Sequence, residues 1–226
     1  MNAPPTEHGP LGVFGGTFDP IHFGHLRLAE EARERLGLAR VTFVPAGQPP
    51  HRDAPSSTAA DRLAMVRLAT ASNPAFSVDD SEVFAAGRSF TVLTLERLRA
   101  ALGPTRPLVL ILGADAFHGL PSWHRWRELL RLAHLAIATR PGYAPPAGEW
   151  TAQAAELDAL RDNHIDNDPR SVHQRPAGRI VPFDMTPLAI SASQVRDLIQ
   201  AGQSARYLSP EPVLDYIGRH HLYQRI

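Results

Sequence analysis

The stretch LGVFGGTFDPIHFGHLRLAEEARERL, residues 11–36, decides the fold. It opens on a short apolar run patterned as a buried strand, turns at Gly15-Gly16 and Asp19-Pro20, and settles into helical periodicity over residues 26–36. A strand that passes through glycines into a helix is the first half of a strand–helix–strand crossover. The pattern recurs along the chain. VTFV precedes a helical stretch over residues 61–70, LVLILG precedes a helix around residues 123–132, and HLAIAT follows that helix. Such alternation predicts an α/β protein with a Rossmann-like open parallel sheet and helices on both faces. The run PLVLILG is apolar almost throughout, as a central strand buried on both faces requires.

The 226 residues, 43% of them hydrophobic, suit one compact domain over residues 1–226. Within it, residues 141–178 loosen into Pro, Ala, Asn and Asp, with one helical pattern near 150–160, and read as an insertion ahead of the last strand, RIVPF. Residues 187–226 form a small helical part with helices over 193–200 and 211–219, the second started by Ser209 and Pro210. Lys plus Arg equals Asp plus Glu at 23 each, so no net charge points to nucleic acid or an anionic membrane as partner. The absence of cysteine excludes disulfides, thiolate metal sites and a Cys nucleophile. The opening MNAPPTEHGP lacks a basic and apolar leader pattern, and no apolar run approaches the ~18 residues that span a bilayer. The expectation is a soluble, cytoplasmic protein. Whether copies associate into a homo-oligomer stays open.

The glycine pair suits close approach of a phosphate, and a helix N-terminus behind it offers unpaired N–H groups. The loop has neither the lysine of a P-loop nor the G-x-G-x-x-G of a dinucleotide fold. His22 and His25 stand three apart with Gly24 between them, on one face of a helix that begins there. Each imidazole can donate a directed hydrogen bond, and partial positive charge on the pair can follow charge developing on a polyphosphate. The rival uses are a capping histidine beside an exposed one, and a metal pair. H-x-x-H lacks the zincin spacing and a third ligand, so no protein metal site is expected. Near the other end, ISASQVR has Ser191 three residues before Gln194, as in a capping box, with Ser193 in the first turn. Its amides, hydroxyl and Arg196 could meet a phosphate, or form an ordinary capped helix with a solvated arginine.

Together these two motifs carry a family resemblance. GGTFDPIHFGH resembles the N-terminal signature of the nucleotidyltransferase superfamily, whose H-x-G-H motif, here His22-Phe23-Gly24-His25, grips the phosphates of ATP. ISASQVR resembles the motif at the far end of that site, with Ser193 where Thr is common. PAGQPPHR, GRSFTVLTLERLR, ILGADAF, LPSWHRWREL, TRPGY and LSPEPVLDYIGRHHLY extend the likeness over nearly the whole length to the bacterial nicotinate-nucleotide adenylyltransferase family. The phosphopantetheine adenylyltransferases are a weaker match.

The resemblance implies adenylyl transfer from ATP to nicotinate mononucleotide, with His22 and His25 as the catalytic pair and Mg²⁺ arriving with ATP. It places Gly15, Gly16, Thr17 and Phe18 at the ATP, together with Gly113 and Asp115 after the central strand and Ile190, Ser191, Ser193 and Arg196 of the second motif. Gly16 and Thr17 also face the mononucleotide in this scheme. So do His51 and Arg52, the latter where many relatives have Lys, and Arg140. Thr91 marks the nicotinate side, with Ser89 as a competing N-cap. Trp123 offers a ring for the pyridine to stack on, or serves as a core aromatic. Asp115 can accept from ribose hydroxyls, or cap the helix behind it. Nicotinamide mononucleotide or phosphopantetheine as acceptor, a regulatory module that binds nucleotide without turnover, and a hydrolase are the remaining readings.

Overall fold

The computed structural model describes residues 9–49, 54–139 and 152–224. In chain order the elements are β1 (Leu11–Gly16), α1 (Phe23–Leu36), β2 (Arg40–Pro45), α2 (Ala59–Thr70), β3 (Phe76–Val78), α3 (Ser81–Phe84) and α4 (Thr91–Leu102). There follow β4 (Leu108–Gly113), α5 (Ala114–His118), α6 (Leu129–Leu132), β5 (His134–Thr139), α7 (Ala152–His164), β6 (Ile180–Asp184), α8 (Ala192–Gln200) and α9 (Glu211–Arg219). The strands form one six-stranded sheet in the order β3-β2-β1-β4-β5-β6. This is the order of a doubly wound sheet, which right-handed crossovers cover with helices on both faces. β1 pairs in parallel with β4, Leu11 opposite Leu108 and Val13 opposite Leu110, and β4 to β5 and β5 to β6 are parallel too. Every residue of β4 from Leu108 to Leu112 is buried, as its unbroken apolar run foretold. Among the described residues no helix is long and apolar enough to cross a membrane.

The chain packs as two compact units. The first takes the segment ending at Phe14, then Glu30–Val41 and Phe90–Pro187. Gly12 of β1 is fixed by packing, since a Cβ there would stand 2.8 Å from Leu38 Cδ1. α1 ends because Gly37 turns left-handed at φ 64, which lets the Leu38 N–H reach back to the Arg33 carbonyl at 2.9 Å. His134, fully buried, donates from Nε2 to the Arg175 carbonyl (2.9 Å) and accepts at Nδ1 from the Arg179 N–H (3.1 Å). Burial lowers its pKa, and the two bonds define a neutral ring.

The expected helix over 123–132 is not continuous. A 3₁₀ turn at Leu120–Ser122 leads through Trp123 to a second at Trp126–Glu128 and only then to the single turn of α6. Arg125 sits in the left-handed region at φ 53, which no right-handed helix passes through. Within the loosened insertion the helical pattern is real, and α7 covers it for thirteen residues.

The second unit takes Gly15–Ala29, Thr42–Ser89 and the chain from Leu188 onward. It holds β3 and α3, which the sequence pattern did not announce: three and four residues are too short for either periodicity. Phe76 of β3 meets Phe43 of β2 with ring centroids 5.1 Å apart. Thr58 caps α2, its Oγ1 accepting from the Asp61 N–H at 3.1 Å. Pro210, not Ser209, occupies the N-cap of α9, because the buried Ser209 hydroxyl donates to the Ile21 carbonyl (2.8 Å) instead. In the turn after β2, a Cβ on Gly47 would lie 2.1 Å from the Glu82 carbonyl oxygen. Backbone cannot yield as a side-chain tip can. Gly47→Ala is therefore expected to lower stability by roughly 1–3 kcal/mol or more, read as a lower urea midpoint at unchanged slope.

Candidate functional site

β1 releases the chain at Gly15, which is exposed and has nothing within 4 Å of where a Cβ would stand. Gly16 is there for another reason: a Cβ would stand 2.9 Å from the ring of Phe18. Phe18 has φ 52 and is buried, its ring 5.8 Å from Phe43 and edge-on to His25 at 5.1 Å. The glycine pair thus divides its duties, one position open and one making room for an aromatic plug.

The His22 carbonyl accepts from the N–H groups of His25 (3.0 Å) and Leu26 (3.3 Å), which makes His22 the residue that opens α1. His25 is the third helical residue, and its Nδ1 accepts from the His22 backbone N–H at 3.3 Å. Glu or Gln makes this return bond in a capping box; here an imidazole does. With Nδ1 accepting, neutral His25 carries its proton on Nε2. The two rings stack with centroids 3.7 Å apart and planes 27° off parallel. Gly24 permits it, since a Cβ would come within 3.0 Å of Cε1 and Nδ1 of His22. His22 is 6% exposed, and burial lowers its pKa to about 4. Its buried Nδ1 has no hydrogen-bond partner among the described residues. Positive charge on the pair is therefore corrected at His22: near neutral pH that ring acts as a dipole.

The second motif meets the first within this unit. Ser191 Oγ accepts from the Gln194 N–H at 3.1 Å and caps α8, as its spacing predicted. Ser191 and Ser193 are exposed, and the Ile190 carbonyl lies 3.6 Å from where a Gly24 Cβ would be. Arg196 is not a solvated arginine: Nη1 donates to the Asp19 carbonyl (2.6 Å) and Nη2 to Ser193 Oγ (3.4 Å). Asp19 itself is buried, its carboxylate accepting from the Ser56 N–H (2.7 Å), the Ser57 hydroxyl (2.5 Å) and the Tyr223 hydroxyl (2.7 Å). Burial pushes the Tyr223 phenol pKa up, so it stays a donor.

Sequence reasoning missed this carboxylate and also Arg62, which is 1% exposed and donates to the Thr17, Ala46 and Gly47 carbonyls. Burial lowers the Arg62 pKa as well. One signal was available: Arg62 falls on the same helical face as the buried Leu63, Met65 and Val66.

In the first unit, Gly113 ends β4 and holds the N-cap of α5, leaving Asp115 exposed in the first helical turn and not the cap. Trp126 is the buried aromatic at 5% exposure, whereas Trp123 is half-buried at the end of its 3₁₀ turn. Thr91 opens α4, whose first turn receives no side-chain cap. Phe90 and His124, the neighbours of Thr91 and Trp123, lie ring to ring at 4.5 Å and bring these two segments together. Arg125 adds an ion pair to Glu96 of α4 at 2.6 Å. In the second unit Ser89 is no cap; its Oγ accepts from the N–H groups of Gly47 (2.9 Å) and Gln48 (3.3 Å). His51, Arg52 and Arg140 lie outside the described residues. No cluster of three or more His, Asp or Glu that could hold a metal occurs among the described residues.

A doubly wound sheet, a stacked histidine pair opening the first helix and a serine-capped ISASQVR helix define the nucleotidyltransferase class. Comparison with known proteins agrees. The cytidylyltransferase-like family model matches residues 13–198. The chain is 56% identical over 215 residues to the "Probable nicotinate-nucleotide adenylyltransferase" of Dechloromonas aromatica, covering 95% of this chain and 98% of that one. It is 47% identical to the protein of the same name from Aeromonas salmonicida, covering 95% and 97%. This chain belongs to the cytidylyltransferase-like family, among the nicotinate-nucleotide adenylyltransferases. Its fold is shared with Plasmodium falciparum nicotinic acid mononucleotide adenylyltransferase complexed with NaAD, at TM-score 0.70 and 15% identity over 96% of this chain and 98% of that one.

The neutral His22 has a thermodynamic consequence. Above pH 6.5 the ring is neutral whether folded or not; below it the unfolded chain takes up a proton that the native state refuses until about pH 4. Stability present above 6.5 is lost across that window, by about 3 kcal/mol in all. Urea unfolding at pH 7, 5.5 and 4.5 should show this decline, and His22→Asn should flatten it; equal slopes in both proteins would refute the assignment.

Proposed function

We propose that this chain transfers the adenylyl group of ATP to nicotinate mononucleotide, giving deamido-NAD and pyrophosphate in NAD biosynthesis. The observation that carries the reading is the stacked pair of His22 and His25, tied by Arg196 to the second motif, in a chain so similar to curated relatives of that name. The acceptor's 5′-phosphate is already anionic, so no protein base is needed. One of its oxygens bonds to the α-phosphorus while the bond from that phosphorus to the bridging oxygen breaks, and pyrophosphate leaves with the electron pair. What the protein supplies is position and charge stabilisation.

The Nε2–H of His25 is the directed donor, held in its tautomer by the backbone N–H of His22. His22 adds a neutral imidazole on the same side. Gly15 leaves the backbone open to a phosphate, and the first-turn amides of α1 favour negative charge. Ser191, Ser193 and the remaining Arg196 N–H groups serve the polyphosphate, with Gly113 and Asp115 toward the nucleoside. Mg²⁺ enters as part of the ATP substrate, through phosphate oxygens and water. Trp123 and Thr91 are assigned to the pyridine end, His51 and Arg52 to the acceptor phosphate or the ATP polyphosphate, and Arg140 to the mononucleotide. We place the reaction in the cytoplasm.

Pyrophosphate release from ATP and Mg²⁺ with nicotinate mononucleotide, nicotinamide mononucleotide or phosphopantetheine supplied separately tests the reading, with the product confirmed by mass. Turnover is expected with nicotinate mononucleotide above the others; ATP binding without turnover on any acceptor would reduce the protein to a binding module. His25→Ala should lower kcat by roughly 10²–10³-fold while leaving mononucleotide binding nearly unchanged. Trp123→Ala should raise KM for the mononucleotide by roughly five- to a hundredfold, the equivalent of one lost aromatic stack.

A further inference from the structure

We propose that Arg62 is a positioning residue for this transfer, fixing the separation and peptide orientation of the loop after β1 and the turn after β2 without touching either substrate. The inference rests on the adenylyl-transfer reading above. Nη1 of Arg62 donates to the Thr17 carbonyl (2.9 Å) and the Ala46 carbonyl (2.5 Å), and Nη2 to the Gly47 carbonyl (2.9 Å). A peptide plane holds its C=O and the following N–H on opposite edges. Turning the Thr17 carbonyl inward therefore turns the Phe18 N–H outward, at the start of the segment that delivers His22 and His25. Turning the Ala46 and Gly47 carbonyls inward aims the Gly47 and Gln48 N–H groups the other way, where Ser89 Oγ receives both. That turn is thus held on two edges.

A planar guanidinium presents several N–H groups at fixed separations, so it sets the distance between the loops as well as satisfying them. The compact lysine ammonium cannot span the same three carbonyls. Displacing reacting groups by even 1 Å can lower a rate by roughly a hundredfold.

The test compares wild type, Arg62→Lys and Arg62→Ala, each first checked for a cooperative thermal transition well above assay temperature. Arg62→Lys is expected to fold, with kcat lowered by roughly ten- to a hundredfold and KM for both substrates raised. Millimolar methylguanidinium should restore part of the activity of Arg62→Ala, and methylammonium should not. A folded Arg62→Lys with wild-type kcat and KM would overturn the inference, as would equal rescue by the two cations. If Arg62→Ala does not fold, Arg62→Lys decides alone. A wild-type protein that makes no dinucleotide would instead sink the adenylyl-transfer reading, and this inference with it.

Discussion

Peptide carbonyls outside the helical and sheet ladders need other partners, and in both units of this protein a guanidinium gathers several of them. Arg62 collects those of Thr17, Ala46 and Gly47 in the second unit. Arg99 collects those of Gly103, Arg106, Leu132 and Pro176 in the first. Each buried acceptor left unpaired would cost about 1–3 kcal/mol. A single side chain that satisfies three or four of them makes separate segments share one frame. The loops that follow β1 and β2 are irregular, and Arg62 adds a side-chain tie to the backbone bond from the Ala46 N–H to the Gly16 carbonyl (2.9 Å).

On that frame the histidine pair becomes chemically specific. Phe18 fills the space that Gly16 leaves, Asp19 is anchored by three donors, and Arg196 holds the Asp19 carbonyl. His22 can then be buried beside His25 with Gly24 as the spacer. Two imidazoles 3.7 Å apart would repel if both were charged, and burial resolves the conflict by keeping His22 neutral.

Much of this was legible in the sequence. The parallel sheet followed from alternating apolar runs and helical stretches, the cap at Ser191 from its distance to Gln194, and the histidine pair from i, i+3 spacing. These are properties of short stretches of backbone. The broken helix after Trp123 escaped because nothing local in the composition marks Arg125 as left-handed. β3 escaped because three residues carry no period. Trp123 and Trp126 could not be told apart as surface and core, since only packing distinguishes two tryptophans three residues apart.

The sequence by itself determined the class and the alternation of the longer strands and helices, because local periodicity and motif spacing encode them directly. Tertiary structure alone decided the state of the site residues. His22 is neutral through burial, Arg196 is turned onto the Asp19 carbonyl, and Arg62 stands behind two loops. These depend on groups far apart in the chain, up to 177 positions for Arg196 and Asp19. No local pattern records which distant carbonyl, hydroxyl or ring a folded side chain will meet.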